Sequence, residues 1–304
     1  MLTKAVITAA GKGTRQYPAT NAIQKELFPL VDMDGITKPT IQIIAEQALE
    51  AGIEEIAIVV QPGEEKKFAL HFQALENESK NPGLHQQSNV LAKLKDRITY
   101  IPQPSPEGYG HAVYCAREWV GDSPFLLLLG DHIYISAGSR SCISQVVDIF
   151  NRYQKSIFAV KETPEEQLHL YGVVSGPKFH ETPPLFQLEN IIEKPDIKTA
   201  QKYLSSKELP HGKYLSFFGI YVFAPSIFTV LGKFIENNIR EKGEIQLTNA
   251  QAVLCERESA IGALISGKSL DMGTPLGYLE TQFTLALNSI FADQIKQKVL
   301  QILQ

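Results

Sequence analysis

The sequence predicts a three-layer α/β fold around a mixed, mostly parallel central sheet, and three stretches carry that expectation. Lys4-Ala5-Val6-Ile7-Thr8 reads as a buried strand, and Thr40 to Leu49 places Ile43, Ile44, Ala48 and Leu49 at helical spacing before Gly52. Glu54-Glu55-Ile56-Ala57-Ile58-Val59-Val60 reads as a second buried strand. Strand, loop, helix and strand in that order form a βαβ unit, which implies parallel pairing and a ligand at the carboxyl ends of the strands.

The loop inside this unit, AAGKGTRQYPATNAIQKELFP over residues 9–29, suits phosphate. Gly11 and Gly13 lack a Cβ, so the backbone can turn sharply and bring its N–H groups to an anion. Arg15 adds a forked cation and Lys25 a point charge, which together suggest a triphosphate or pyrophosphate. A dinucleotide fingerprint needs a third small residue where Gln16 stands, and a P-loop needs a four-residue gap before Gly-Lys-Ser/Thr that this run lacks.

Composition narrows the field. The chain has 304 residues, 44% hydrophobic and 20% charged, enough for one large core, and a net charge of −4 points to neither nucleic acid nor an anionic membrane. No signal peptide is expected at Met1-Leu2-Thr3-Lys4, and no apolar run is long enough to span a bilayer. Cys115, Cys142 and Cys255 are odd in number and far apart, against a disulfide framework or zinc site. A cytoplasmic setting is expected.

The remaining elements follow in order. A helix is expected near Lys66–Leu75 and a loop around Asn81-Pro82-Gly83 in the polar stretch 66–97, then a strand at Ile98–Ile101. Pro102 to His111 is a rigid Pro/Gly loop before a helix starting near Ala112. Pro124-Phe125-Leu126-Leu127-Leu128-Leu129 is a buried strand ending on Gly130-Asp131. A carboxylate there sits where such sheets bind ligands and suits Mg²⁺, although an Asp at a strand end also caps loops. Further strands are expected at 156–161, 171–174, 188–192, 214–223 and 260–265, with helices from Pro225 and from Glu244. The chain is expected to divide into a catalytic body, 1–275, and a helical segment, 276–304, packed on the body or on a twin subunit.

The run G-x-G-T-R-x-x-P-x-T with Lys25-Glu26, followed by KELFPLVD, resembles the signature of the sugar-1-phosphate nucleotidyltransferases, and is most similar to the bacterial UTP–glucose-1-phosphate uridylyltransferases. Matching blocks recur in the family's order: Gln103, Gly108-Tyr109-Gly110-His111-Ala112, Gly130-Asp131, Tyr171-Gly172-Val173-Val174, Glu193-Lys194-Pro195, Glu244–Ala250 and Leu270-Asp271-Met272-Gly273. The resemblance implies a Rossmann-like sandwich with an added sugar-binding sheet, and transfer of a uridylyl group from UTP to glucose 1-phosphate.

The resemblance also implies site residues. Ala10, Gly11, Gly13, Thr14, Glu26, Gln103 and Gly108 would bind the nucleotide, Gln103 matching the imide edge of uracil and Glu26 lying near the nucleoside. Arg15 and Lys25 would hold the departing phosphates, and Gly172, Glu193 and Lys194 the sugar phosphate. Asp131 and Asp271 would carry Mg²⁺. His111 has no chemical duty in this scheme. The chain departs from the family at Lys12, usually apolar, at a small insertion Met33–Thr37, and at Asn249, which replaces an aspartate and puts the sugar-side geometry in question. The same chemistry with dTTP or another hexose, a non-catalytic sugar-nucleotide sensor and a nicotinamide dehydrogenase are the alternatives. A homo-oligomer is expected, with no nucleic acid or membrane partner.

Overall fold

The computed structural model describes residues 1–73 and 82–303, with the helical backbone alone at 82–86. Strand β1 (Lys4–Ala9) opens the chain, the hairpin β2 (Pro29–Val31) and β3 (Thr37–Pro39) follows, and α1 (Thr40–Glu50) leads into β4 (Glu55–Val60). β1 and β4 pair in parallel from Lys4↔Glu55 to Ala9↔Val60, as the βαβ pattern requires. Alternate side chains of β1 enter opposite layers: Ala5, Ile7 and Ala9 join one cluster and Val6 the other. Burial on both faces explains why these strands read as unbroken apolar runs.

α2 (Glu65–His71) is shorter than expected, and residues 74 and 75 fall outside the described residues. The loop expected around Asn81-Pro82-Gly83 is corrected, because Pro82 begins α3 (Pro82–Lys95) and Asn81 lies outside the described residues. Proline suits a first helical position, where its missing N–H has no partner to lose. β5 (Ile98–Pro102) pairs in parallel with β4. α4 (Tyr109–Cys115) starts nearly a turn earlier than the prolines suggested, and Gly110 in its first turn lies against Ile245, where an added Cβ would come within 2.8 Å of the Ile245 carbonyl oxygen. α5 (Arg117–Val120), β6 (Phe125–Leu129), β7 (His132–Ser136), α6 (Cys142–Tyr153) and β8 (Ile157–Pro164) follow.

The second half comprises β9 (Gly172–Ser175), β10 (Lys178–Glu181), β11 (Pro184–Gln187), β12 (Asn190–Glu193), α7 (Ile197–Tyr203) and β13 (Lys213–Phe223). Then come α8 (Ser226–Glu236), α9 (Leu247–Arg257), β14 (Ile261–Leu264), β15 (Gly267–Asp271), α10 (Pro275–Leu287) and α11 (Ala292–Ile302). The main sheet runs β10-β11-β14-β8-β13-β6-β1-β4-β5. β5, β4, β1, β6, β8 and β14 share one direction, and β13 runs against its neighbours β6 and β8. Helices α1, α2, α3 and α6 cover one face, and α4, α5, α8 and α9 the other.

The added strands do not form a sheet of their own. β9 pairs with both β12 and β13, so they branch from the main sheet. The branch is possible because β13 is 11 residues long and irregular between Phe217 and Tyr221, around Gly219 at φ 98°. Its first half pairs with β9 while its second half pairs with β6. Apart from this sheet, β7 pairs with β15 and β2 with β3. α10 packs on β15 and β2, and Leu285 enters the core, so this helix is part of the body. No helix among the described residues is long and apolar enough to cross a membrane.

Candidate active site

β1 and β6 end side by side, with Thr8 opposite Leu129, and the chain beyond them frames a cleft of about 500 Å³. Its walls include Ala10, Gly11, Gly13, Thr14, Lys25, Gln103, Gly108 and Asp131, all sequence candidates, together with Lys12, Tyr109 and Glu244. The glycines are there for conformation and space. Gly13 stands at φ 63°, and an added Cβ would meet the Thr20 methyl at 2.8 Å; Gly108 stands at φ 108°, with Glu244 and Ile245 within 2.9 Å of a Cβ. Both positions therefore exclude ordinary side chains.

Gln16, which broke the dinucleotide fingerprint, is buried and donates from Nε2 to the Met272 carbonyl at 2.7 Å. It thereby ties the glycine loop to the end of β15. Arg15 beside it is exposed, with its guanidinium 3.5 Å from Asp271 Oδ2. Lys25 Nζ donates to Asp131 Oδ2 at 2.8 Å and to Glu26 Oε1 at 2.5 Å. Burial alone would lower the Lys25 pKa, but the Asp131 and Glu26 charges outweigh it and hold the ammonium above its ordinary range. Burial would raise that of Asp131, but Lys25 and the His132 contact outweigh it and keep the carboxyl well below the usual carboxylate range.

Glu26 differs from its expected place. Its side chain is wholly buried beside Lys25 and is absent from the cleft wall; Oε2 has no hydrogen-bond partner among the described residues. Desolvation pushes its pKa up to about 7, against the pull of Lys25. Gln103 does line the cleft, but its Nε2 is engaged with the Gly108 carbonyl at 3.2 Å and with His111 Nδ1 at 3.1 Å, so it also braces the loop it sits on.

The sugar-side candidates meet at the branch of the sheet. Glu193 lies directly across from Gly172 in the β9–β12 ladder, and a Cβ on Gly172 would come within 2.7 Å of Phe217 and 3.1 Å of Glu193 Oε2. Thr248, which sequence reasoning passed over, donates from Oγ1 to Glu193 Oε2 at 2.7 Å. Asn249 instead donates to Glu241 at 2.9 Å, so its replacement of an aspartate leaves Glu193 untouched. Lys194 has a left-handed backbone, φ 44°, and a half-exposed side chain 3.5 Å from Glu193.

Asp131 and Asp271 come together through backbone pairing: Asp271 faces His132 across the β7–β15 ladder, and the Met272 N–H donates to the Asp131 carbonyl at 2.9 Å. Asp271 Oδ1 accepts from the Gly273 N–H at 2.7 Å. His132 was also missed, although its place next to Gly130-Asp131 was the available signal. A second hollow of about 570 Å³, lined by Lys161 and residues 264–270, is slightly larger. The cleft at the glycine loop is where Lys12, Lys25, Asp131 and the backbone of Gly11, Gly13 and Gly108 converge.

The family model described as nucleotidyl transferase matches residues 4–286. The UTP–glucose-1-phosphate uridylyltransferase of Bacillus subtilis strain 168 is 39% identical over 296 residues, covering 93% of this chain and 91% of that protein. A UDP-glucose pyrophosphorylase solved with UDP-glucose superposes with a TM-score of 0.76 at 28% identity, over 93% of this chain and 98% of that one. The UTP-bound enzyme of Acinetobacter baumannii superposes with a TM-score of 0.77 at 28% identity, over 99% of each chain.

Proposed function

Since the chain belongs to the nucleotidyl transferase family, we propose that it transfers a uridylyl group from UTP to glucose 1-phosphate, giving UDP-glucose and pyrophosphate. The observation that supports this reading is the cleft at the glycine loop, where glycine backbone meets the paired charges of Lys25 and Asp131. The glycine loop with Lys25 and Asp131 meets Asp271 through Arg15, while Gly172, Glu193 and Lys194 gather at the sheet's branch.

In this reading the Gly11–Thr14 backbone, Arg15 and Lys25 receive the phosphates of UTP, and Gln103 and Gly108 border the base. Lys194 receives the phosphate of the sugar, and Glu193, oriented by Thr248, accepts from sugar hydroxyls. A phosphate oxygen of the sugar attacks the α-phosphorus of UTP, a new P–O bond forms, and the bond to the departing pyrophosphate breaks. No protein nucleophile is needed, because positioning and charge stabilisation supply the catalysis. Asp131, His132 and Asp271 offer one donor atom each within 4.8 Å of one another, and Asp131 is held ionised, so the residues fit a divalent cation such as Mg²⁺. Such an ion, when bound, neutralises phosphate charge that would otherwise repel the attacking oxygen.

Three free cysteines suit a reducing cytoplasm. α10 and the turn after it expose Leu276, Leu279, Phe283, Leu287 and Ile290, an apolar stripe that fits a twin subunit, and analytical ultracentrifugation would test for the dimer. The enzymatic reading is tested by pyrophosphate release from UTP or dTTP paired with a panel of hexose 1-phosphates in Mg²⁺. UTP with glucose 1-phosphate should be the fastest pair. Preference for dTTP would overturn the nucleotide assignment, and no turnover with any pair would overturn the whole reading.

A further inference from the structure

We propose that the imidazole of His132 is a direct ligand of the divalent cation at this site, making the donor set mixed nitrogen and oxygen, so that a first-row transition ion such as Mn²⁺ binds more tightly than Mg²⁺. The inference rests on the reading above that Asp131 and Asp271 hold a cation.

The placement follows from the backbone. Residue 131 ends the turn after β6, residue 132 begins β7, and β7 pairs antiparallel with β15 so that His132 stands opposite Asp271. Side chains opposite each other in such a ladder are near neighbours on one face. Within this arrangement His132 Nδ1 lies 2.9 Å from Asp131 Oδ1. Adjacent ligands of an octahedral ion with bonds of about 2.1 Å stand about 3 Å apart, so the pair already has the spacing of two neighbouring ligands.

One oxygen of each carboxylate is held by a hydrogen bond from the protein, which leaves the other for an ion. Asp131 Oδ2 accepts from Lys25 at 2.8 Å, so Oδ1 is the oxygen turned toward His132. Asp271 Oδ1 accepts from Gly273, and its Oδ2 lies toward Arg15 at 3.5 Å. An imidazole nitrogen is a softer donor than carboxylate or water and favours transition ions, whereas all-oxygen sites suit Mg²⁺.

The test is pulsed electron paramagnetic resonance of the full-length protein loaded with Mn²⁺ alone, alongside titration calorimetry with Mn²⁺ and with Mg²⁺. The wild type should show the nitrogen coupling of a directly bound imidazole, and His132→Asn should lose it, with Mn²⁺ affinity falling about tenfold or more. His132→Asp, which restores an oxygen donor, should bind Mn²⁺ without nitrogen coupling and narrow the preference for Mn²⁺ over Mg²⁺. Mn²⁺ that binds the wild type without nitrogen coupling, yet is lost in Asp131→Asn, would overturn the role of His132 and leave the cation site standing. Mn²⁺ that does not bind, or binds equally well in Asp131→Asn, would overturn both.

Discussion

Lys25 and Lys38 are the same device used at two places. Each is a buried ammonium gripped by carboxylates, Lys25 by Asp131 and Glu26, Lys38 by Asp32, Asp34 and Glu46, all within 2.9 Å. In both, desolvation is outweighed by the partners and the ammonium is held above its ordinary range. The difference lies in the oxygens left over. Around Lys38 Asp32 Oδ1 accepts from the Met33 N–H, Asp34 Oδ1 from the Ile36 N–H, and Glu46 Oε1 from Gln42. That cluster is closed, and it ties the hairpin that carries the Met33–Thr37 insertion to α1. Around Lys25 the set is open: Asp131 turns its second oxygen toward His132 near Asp271, and Lys25 itself lines the cleft. A closed set holds a fold, and an open one can receive a ligand.

The sharpest way to break this contrast is to remove the closed lysine. Lys38→Met leaves three carboxylates together without their cation and should lower the unfolding free energy by about 3–5 kcal/mol. Urea denaturation would measure that loss, and initial rates below the transition should show kcat/KM unchanged. Lost activity in the folded protein would make Lys38 part of the site after all.

Removing an open-set lysine should do the reverse. Lys25→Ala should raise the KM for UTP by roughly tenfold to 150-fold, the worth of one charge-assisted contact of about 1.5–3 kcal/mol. Its stability loss should be smaller than that of Lys38→Met, because Glu26, with its pKa pushed up to about 7, can take up a proton in place of the lost cation. Lys194→Ala should instead raise the KM for glucose 1-phosphate over the same range. Steady-state kinetics with each substrate varied separately decides the matter. A Lys194→Ala enzyme impaired only toward UTP would move Glu193-Lys194-Pro195 off the sugar side.

Much of this was legible in the sequence, for physical reasons. Buried parallel strands are unbroken apolar runs, so β1, β4 and β6 and the loops at their carboxyl ends could be placed, and Gly13 and Gly108 marked backbone with a positive φ and no room for a Cβ. What could not be read depends on three-dimensional neighbours. Nothing in the text buries Glu26 beside Lys25 instead of leaving it on the surface, since adjacent charges on a short turn are usually solvated. Thr248 reaches Glu193 only because α9 packs on β12. The closed cluster of Lys38 was invisible too, because its hairpin looked like a mere insertion, whereas Gly35 lies beneath Ile290 and Phe291 and fastens it to the C-terminal helices.

The smallest effect concerns the open set's own proton. Glu26 has a folded pKa raised from 4.5 to about 7, chiefly by desolvation. Between those values the folded protein holds a proton that the unfolded chain has released, so this group makes stability fall as pH rises through the window, and above about pH 7 the loss is complete. Asp131, with its depressed pKa, contributes stability that is present above 3.8 and lost only at lower pH, while Lys25, with its raised one, contributes stability that is lost only above 10.5. Neither titrates in the window. Glu26→Gln keeps the shape and removes the proton equilibrium, so stability of the wild type relative to this variant should decline by on the order of 1 kcal/mol between pH 4.5 and 7 and then level off, water in the adjoining cleft blunting the full desolvation. Chemical denaturation of both proteins across that range measures the difference. Two parallel curves would mean that Glu26 stays ionised throughout, and the Lys25 set would then be as closed electrostatically as the one around Lys38.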